Sequence, residues 1–259
     1  MKIRILGAHG IDSRDTKFPS ILIDDNMALD AGSLASGLSL REQRKVRAVL
    51  LSHSHLDHIQ GIGALAMHFF TIGSTLEVYG IKDTINALSK HVFNKLIQPD
   101  FTQMPSPRRP AIRLHMLEVY KHQVVEDYGI LAVPTFHSIP SVGYEVTAGN
   151  GKSLFYSGDT GPGLSNCWQY VDPDLIIIDC AGPNTYTPHA PGLGHLTPQL
   201  LEKEFMEFLD VKGYLPPIIL VHMNPLGDDA VKIAEEISEL SADLNTSIQL
   251  GYEGMEFYL

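Results

Sequence analysis

Apolar residues along this chain fall into two registers, short runs of strand length and longer stretches with helical spacing. Lys2–Leu6, Ser20–Leu29, Val46–Leu51 and Thr75–Tyr79 have the length and aliphatic content of strands. They alternate with helical stretches at Ile59–Phe70 and Asp83–Leu96. A second set of strands and helices begins near Arg113, and within it Asp172–Asp179 carries the continuous apolar run of a strand covered on both faces. A helix over Gln199–Leu209, another over Asp229–Leu240 and short strands at Ser247–Leu250 and Met255–Leu259 close the chain. One sheet-rich half followed by another, with helices outside, predicts an α/β protein. Gln98–Arg113 breaks the pattern with four prolines and three arginines. Proline at this density disfavours regular structure, so the segment reads as a surface connection, or as a lid or dimer contact over a cleft.

Composition narrows the class. At 259 residues, 44% of them hydrophobic and 19% charged, the chain suits a single large domain over residues 1–259. No apolar stretch approaches the length of a membrane span. Met1–Leu6 reads as an opening strand and not as the apolar region of a secretory signal, and two widely spaced cysteines make no disulfide framework. A cytoplasmic protein is the default expectation. The formal net charge is −11, and the only concentrated basic stretches, Arg41–Arg47 and Pro107–Pro110, are short. A long polyanion needs a basic surface whose contacts release counterions, so this balance favours a small anionic substrate over a nucleic acid.

The densest chemistry lies just after Val46–Leu51, where His53-Ser54-His55-Leu56-Asp57-His58 places four potential metal ligands in six residues. Three imidazoles and a carboxylate at the end of a buried strand are costly to desolvate unpaired, and a divalent cation turns that cost into binding energy. Alternation along an extended stretch lets His53 and His55 point the same way and hold one metal. Asp57 and His58 follow as the chain turns into a helix and reach a second. Three further segments end an apolar run in a possible ligand: Gly129–His137, Leu154–Asp159 and Ile218–His222. A lone histidine at a strand end is more often a packing residue. Seven ligands from four strand ends are enough for two coordination shells.

The HxHxDH run followed by a His, a Gly-Asp-Thr and a final His at strand ends resembles the metallo-β-lactamase superfamily. The resemblance implies a four-layer αβ/βα sandwich with a dinuclear site at one edge. It implies that His53, His55 and His137 bind one metal, that Asp57, His58 and His222 bind the other, and that Asp159 bridges them. Hydroxide supplied between the metals would be the nucleophile. Asp30, in Leu29-Asp-Ala-Gly32, matches a buried family aspartate expected to orient a ligand histidine. An aspartate bridge argues against a β-lactamase, since neither Cys167 nor Cys180 stands where a thiolate would substitute. His55 in place of an acid argues against the diiron oxygen-reducing branch.

Within the superfamily, His91–Phe101 is similar to the HxFNxxIWPDF stretch of the class II cyclic-nucleotide phosphodiesterases, with Gln98 in place of Trp. Asp30–Leu34, His137–Tyr144, Ser157–Pro162 and Gly194–Pro198 resemble the same branch. The expected activity is therefore hydrolysis of 3′,5′-cyclic AMP or GMP to the 5′-monophosphate, with two divalent ions, zinc first and manganese or iron as alternatives. Asp57 and His195 are the candidate proton-transfer residues. His195 directly precedes the Gln199–Leu209 helix, where an imidazole can protonate a leaving oxygen; the plainer reading makes it a loop or cap residue beside Thr197. His9 and His189 are read as non-catalytic, and His68, His91, His115 and His122 as packing residues. The expected partner is a small phosphodiester, with no membrane and no stable nucleic-acid partner, and a homodimer is left open. The alternatives are a tRNA 3′-processing type of endoribonuclease and a non-catalytic metal-binding interaction module. A thioesterase of the glyoxalase II type is disfavoured for want of a C-terminal basic cluster.

Overall fold

Alternating apolar residues sort each strand's side chains onto two faces, and two seven-stranded sheets stack on the faces so created. The computed structural model describes residues Met1–Leu259 throughout. The N-terminal half supplies β1 (Lys2–Gly7), β2 (Ser20–Ile23), β3 (Met27–Leu29), β4 (Ala48–Leu51) and β5 (Leu76–Gly80). A short pair, β6 (Pro105–Ser106) and β7 (Arg109–Pro110), precedes β8 (Ile112–Met116). The C-terminal half supplies β9 (His122–Val125), β10 (Tyr128–Thr135), β11 (Ser141–Thr147) and β12 (Ser153–Tyr156). It ends with β13 (Leu175–Asp179), β14 (Ile218–Val221), β15 (Ile248–Leu250) and β16 (Glu256–Tyr258). The helices are α1 (Leu34–Gly37), α2 (Leu40–Gln43), α3 (Leu56–Ile72), α4 (Lys82–Ala87), α5 (Ser165–Trp168), α6 (Ala190–Leu193), α7 (Pro198–Lys212) and α8 (Asp229–Asp243).

The first sheet runs β16-β1-β2-β3-β4-β5-β8 and the second β15-β14-β13-β12-β11-β10-β9. Ile21, Ile23, Met27, Leu29, Ala48 and Leu50 join the large core shared with the second sheet. Their neighbours Leu22, Ala28, Val49 and Leu51 pack instead with Ile62, Leu65, Ala66 and Phe69 of α3. On the second sheet α7 and α8 add Leu201, Phe205, Phe208, Ile233 and Ile237. The layers are helix, sheet, sheet, helix, the sandwich that the resemblance implies.

Strand direction gathers the site. β3, β4 and β5 are parallel, as are β12, β13 and β14. Two antiparallel steps through β11 give β10 the direction of β12. Residues that follow these strands therefore emerge along one edge. The loop Asp30–Gly32 docks the start of α3 there: Ala31 N donates to the His58 carbonyl at 2.7 Å and Gly61 N to the Ala31 carbonyl at 2.8 Å. This contact demands glycine at 32, because a Cβ there would fall on the Asp57 carbonyl oxygen.

Several expected boundaries differ for local reasons. The run Ser20–Leu29 is two antiparallel strands, broken where Asp24 and Asp25 turn the chain with φ of 47° and 60°. The expected helix Asp83–Leu96 stops early: α4 passes into one π-helical turn over Leu88–Val92, and the Asn94 side chain then accepts from Leu96 N and Ile97 N. That local capping by asparagine competes with continued helix. The proline-rich segment forms the small β6–β7 hairpin, anchored by Phe101, which is buried against Phe70 and Phe93. Thr197 stands at the N-cap of α7, but its hydroxyl pairs with Thr187 at 2.8 Å and caps nothing.

Candidate metal centre

Asp30 leaves β3 in the left-handed region, with φ of 56°, a conformation aspartate tolerates better than most side chains. Its carboxylate is completely buried and fully used. Oδ1 accepts from Ser52 N at 2.7 Å, and Oδ2 accepts from Ser52 Oγ at 2.7 Å and from Tyr156 OH at 2.6 Å. His58 Nδ1 lies 2.7 Å from the same Oδ2. A proton held there leaves His58 Nε2 facing Asp159, 3.0 Å from its Oδ1.

The other predicted residues converge around Asp159. His53 Nδ1 lies 3.0 Å from Ser52 Oγ, which turns Nε2 toward Asp159 Oδ2 at 3.8 Å. His137 Nδ1 is 3.0 Å from the Gly194 carbonyl, so it donates there and presents Nε2 to His55 Nδ1, also at 3.0 Å. His222 follows β14 with φ of 65°, a strained conformation for a residue other than glycine, and its Nε2 sits 3.2 Å from Asp57 Oδ2 and 3.3 Å from Asp159 Oδ2. All seven expected ligands fall into two groups of four that share Asp159: His53, His55, His137 and Asp159, and Asp57, His58, Asp159 and His222. Within each group the ligand atoms lie within 4.8 Å of one another.

Hydrogen bonding inside the protein does not account for this arrangement. His53 Nε2, His58 Nε2 and Asp159 Oδ1 are buried without a hydrogen-bond partner, the close pair of His58 and Asp159 being misaligned for one. Orphaned buried nitrogens and oxygens aimed at one point are what a cation satisfies. The donors, imidazole nitrogen and carboxylate oxygen without thiolate, suit divalent ions. Charge balance points the same way. Burial and the neighbouring His58 hold His53 well below the ordinary histidine pKa. Burial also opposes charge on His58 and His222, but Asp159, joined by Asp30 at His58 and Asp57 at His222, outweighs it and raises both. Burial likewise opposes charge on Asp159, yet His222 and His58 hold its pKa well below the carboxylate range. The carboxylates thus favour positive charge at these two histidines, where a cation would stand, and metal binding there competes with protons.

Beside these groups, His195 stacks on His222 with ring centroids 4.9 Å apart and meets His137 at 5.3 Å. Its Nδ1 lies 2.9 Å from Asp179 Oδ2, and Oδ1 of the same buried carboxylate accepts from Leu196 N at 2.9 Å. Burial alone would depress the His195 pKa, but Asp179 raises it to about 9. Asp179 was not singled out in the sequence, although it ends an apolar run as Asp159 does. Ser52 and Tyr156 carried no such signal, since a serine after a strand and a tyrosine within one are ordinary. Outside the centre, His9 pairs with Glu253, His68 with Gln43 and His115 with Glu77, whereas His91 and His122, expected as packing residues, are exposed, as is His189. Arg108 and Arg109 lie in the β6–β7 hairpin and pair with none of these residues.

Comparison with known proteins agrees with this architecture. Residues 21–239 match the family model described as β-lactamase superfamily domain. The 3′,5′-cyclic-nucleotide phosphodiesterase of Schizosaccharomyces pombe is 36% identical, over 88% of this chain and 73% of that protein. A probable 3′,5′-cyclic-nucleotide phosphodiesterase of Yersinia pestis is 25% identical over 80% of this chain, which spans only 66% of that protein's length. Among solved structures, unliganded yeast PDE1 superposes with a TM-score of 0.84 at 20% identity, covering 100% of this chain and 99% of its own. The short form of human tRNase Z superposes with a TM-score of 0.68 at 18% identity, covering 100% of this chain and 99% of its own. At these identities the two structures speak for the fold.

Replacing the acceptor at the hub tests this geometry. Asp30→Ala leaves Ser52, Tyr156 and His58 without a buried partner and is expected to cost about 3–5 kcal/mol of stability, read by urea denaturation of metal-free protein. Asp30→Asn keeps much of the fold and weakens metal binding by about 10–100-fold, read by titration against a chelator.

Proposed function

The chain belongs to the β-lactamase superfamily, and we propose that it is a metal-dependent phosphodiesterase hydrolysing a 3′,5′-cyclic nucleotide to the 5′-monophosphate. The observation that carries this reading is the pair of ligand groups sharing Asp159, flanked by an imidazole that Asp179 keeps protonated. The activity named for the Schizosaccharomyces pombe relative supports the substrate class. His53, His55 and His137 are assigned to one divalent ion and Asp57, His58 and His222 to a second, with Asp159 between them. Zinc is the first expectation, and the same donors accept manganese or iron. Such ions, when bound, supply Lewis acidity toward a phosphoryl group and a source of hydroxide near neutral pH.

The chain's own residues supply the proton transfers. Asp57 stands at the open side of the cluster, its side chain 25% exposed. Burial raises its pKa, but its bond to His222 and the nearby His58 lower it overall, so it stays ionised to accept the nucleophile's proton. His195 gives Nδ1 to Asp179, which leaves Nε2 to donate to the departing 3′ oxygen. Asp179 acts through His195, fixing its tautomer and stabilising its charged form. A net charge of −11 supports a small phosphodiester in preference to a nucleic acid. No helix is long and apolar enough to cross a membrane. The cytoplasmic setting is part of the proposal, supported by two free and buried cysteines, Cys167 and Cys180.

The test is hydrolysis of 3′,5′-cyclic AMP and cyclic GMP by zinc- or manganese-loaded protein, with precursor tRNA and bis-nitrophenyl phosphate alongside. Cyclic-nucleotide cleavage that Asp159→Ala lacks is the expected result; cleavage of the nitrophenyl ester alone contradicts the substrate. His195→Ala should retain its metals and slow cyclic-nucleotide turnover by about 10²–10⁴-fold, with much less effect on a nitrophenolate leaving group that needs no proton. Asp179→Asn should slow the same step, and the double variant should be little slower than His195→Ala alone. Full cyclic-nucleotide activity in His195→Ala removes it from the mechanism.

A further inference from the structure

Three large apolar side chains stand open to solvent within two positions of the clustered histidines. Leu56, 68% exposed, lies between His55 and Asp57; Phe136, 56% exposed, precedes His137; Leu193, 63% exposed, comes two residues before His195. The fold brings their neighbours together, since His55 meets His137 and His137 meets His195. A single exposed leucine needs no explanation, whereas three exposed apolar side chains, each close in sequence to the residues of one polar centre, call for one.

Phe136 is held in place from below. Its N–H donates to Thr160 Oγ1 at 3.3 Å, and its carbonyl accepts from Gly161 N at 2.6 Å. A Cβ on Gly161 would lie 3.1 Å from the Phe136 ring and 3.3 Å from Gly194 Cα, so a side chain at 161 would push the ring away. Gly194 in turn lies directly against His137, where a Cβ would stand 2.6 Å from Nδ1. The ring therefore rests on glycine backbone close to the His137 imidazole and remains more than half exposed.

We propose that Phe136 is the stacking platform for the nucleobase of the substrate, with Leu56 and Leu193 flanking it. This deepens the phosphodiesterase reading and rests on it. The base lies one sugar away from the phosphate, and the centre itself presents only imidazoles and carboxylates, which pair with one another and with the buried Asp30 and Asp179. An apolar surface beside the centre is what the base requires. Every base has a π face, so a platform of this kind favours the presence of a base over its identity.

The test is calorimetric binding of adenosine 5′-monophosphate and of ribose 5-phosphate, the same anion without a base, to manganese-loaded protein. The nucleotide should bind about tenfold or more tightly, the gain of one base–aromatic stack. Phe136→Ala and Phe136→Leu should bring the two affinities together, while Phe136→Trp keeps them apart. Equal affinities in the natural protein, or undiminished discrimination in Phe136→Ala and Phe136→Leu, overturn the platform. A change of oligomeric state in Phe136→Ala without loss of discrimination makes the patch a protein contact and also overturns it. Binding discrimination is independent of turnover. Failure to hydrolyse cyclic nucleotides sinks the phosphodiesterase reading, and unchanged discrimination in the variants sinks the platform.

Discussion

One buried carboxylate, that of Asp30, ties the clustered histidines and aspartates to the sandwich beneath them. An isolated carboxylate in such a place is too costly to keep ionised, so its neighbours must be donors. They come from three different elements: Ser52 after β4, His58 in the first turn of α3, and Tyr156 at the end of β12 in the other sheet. The same contacts that satisfy Asp30 therefore join the two sheets at one edge and aim His58. Ser52 then aims His53 from its hydroxyl. The left-handed backbone at Asp30 and the side-chain-free Gly32 follow from this, because the loop must turn tightly and let α3 approach.

The fold supports a polar edge because its core is large and independent of it. Strands of the two sheets share one continuous apolar interior, and a second cluster seals α3 against the first sheet. Each fully buried aliphatic side chain there contributes about 1.5–3 kcal/mol, which offsets the desolvation of a handful of imidazoles and carboxylates. What the core does not do is satisfy the atoms left facing Asp159. Those atoms, and the carboxylates that favour positive charge at His58 and His222, describe a site suited to cations.

Much of this was legible in the sequence because candidate metal ligands at strand ends leave a local signature. His53, His55, Asp57 and His58 sit in one hexapeptide, and His137, Asp159 and His222 each terminate an apolar run; the structure brings all seven together. Asp30 was found through its Leu-Asp-Ala-Gly context. Asp179 ends an apolar strand in the same way but gives no distinct signal, since an acid there is equally consistent with a strand that simply stops. Tyr156 and Ser52 carried no signal, as their roles depend on which strands become neighbours across the sandwich. The periodicity over Asp83–Leu96 overstates the helix for the converse reason, since Asn94 offers the following backbone a competing local partner.

The central claim is that two ligand groups share Asp159, and metal stoichiometry tests it most directly. Equilibrium dialysis of the metal-free chain against zinc or manganese, with protein and metal counted independently, should give two ions per chain. Asp159→Ala should lose tight binding at both positions together. A natural chain that saturates at one ion, or an Asp159→Ala variant that still holds two, would contradict the account.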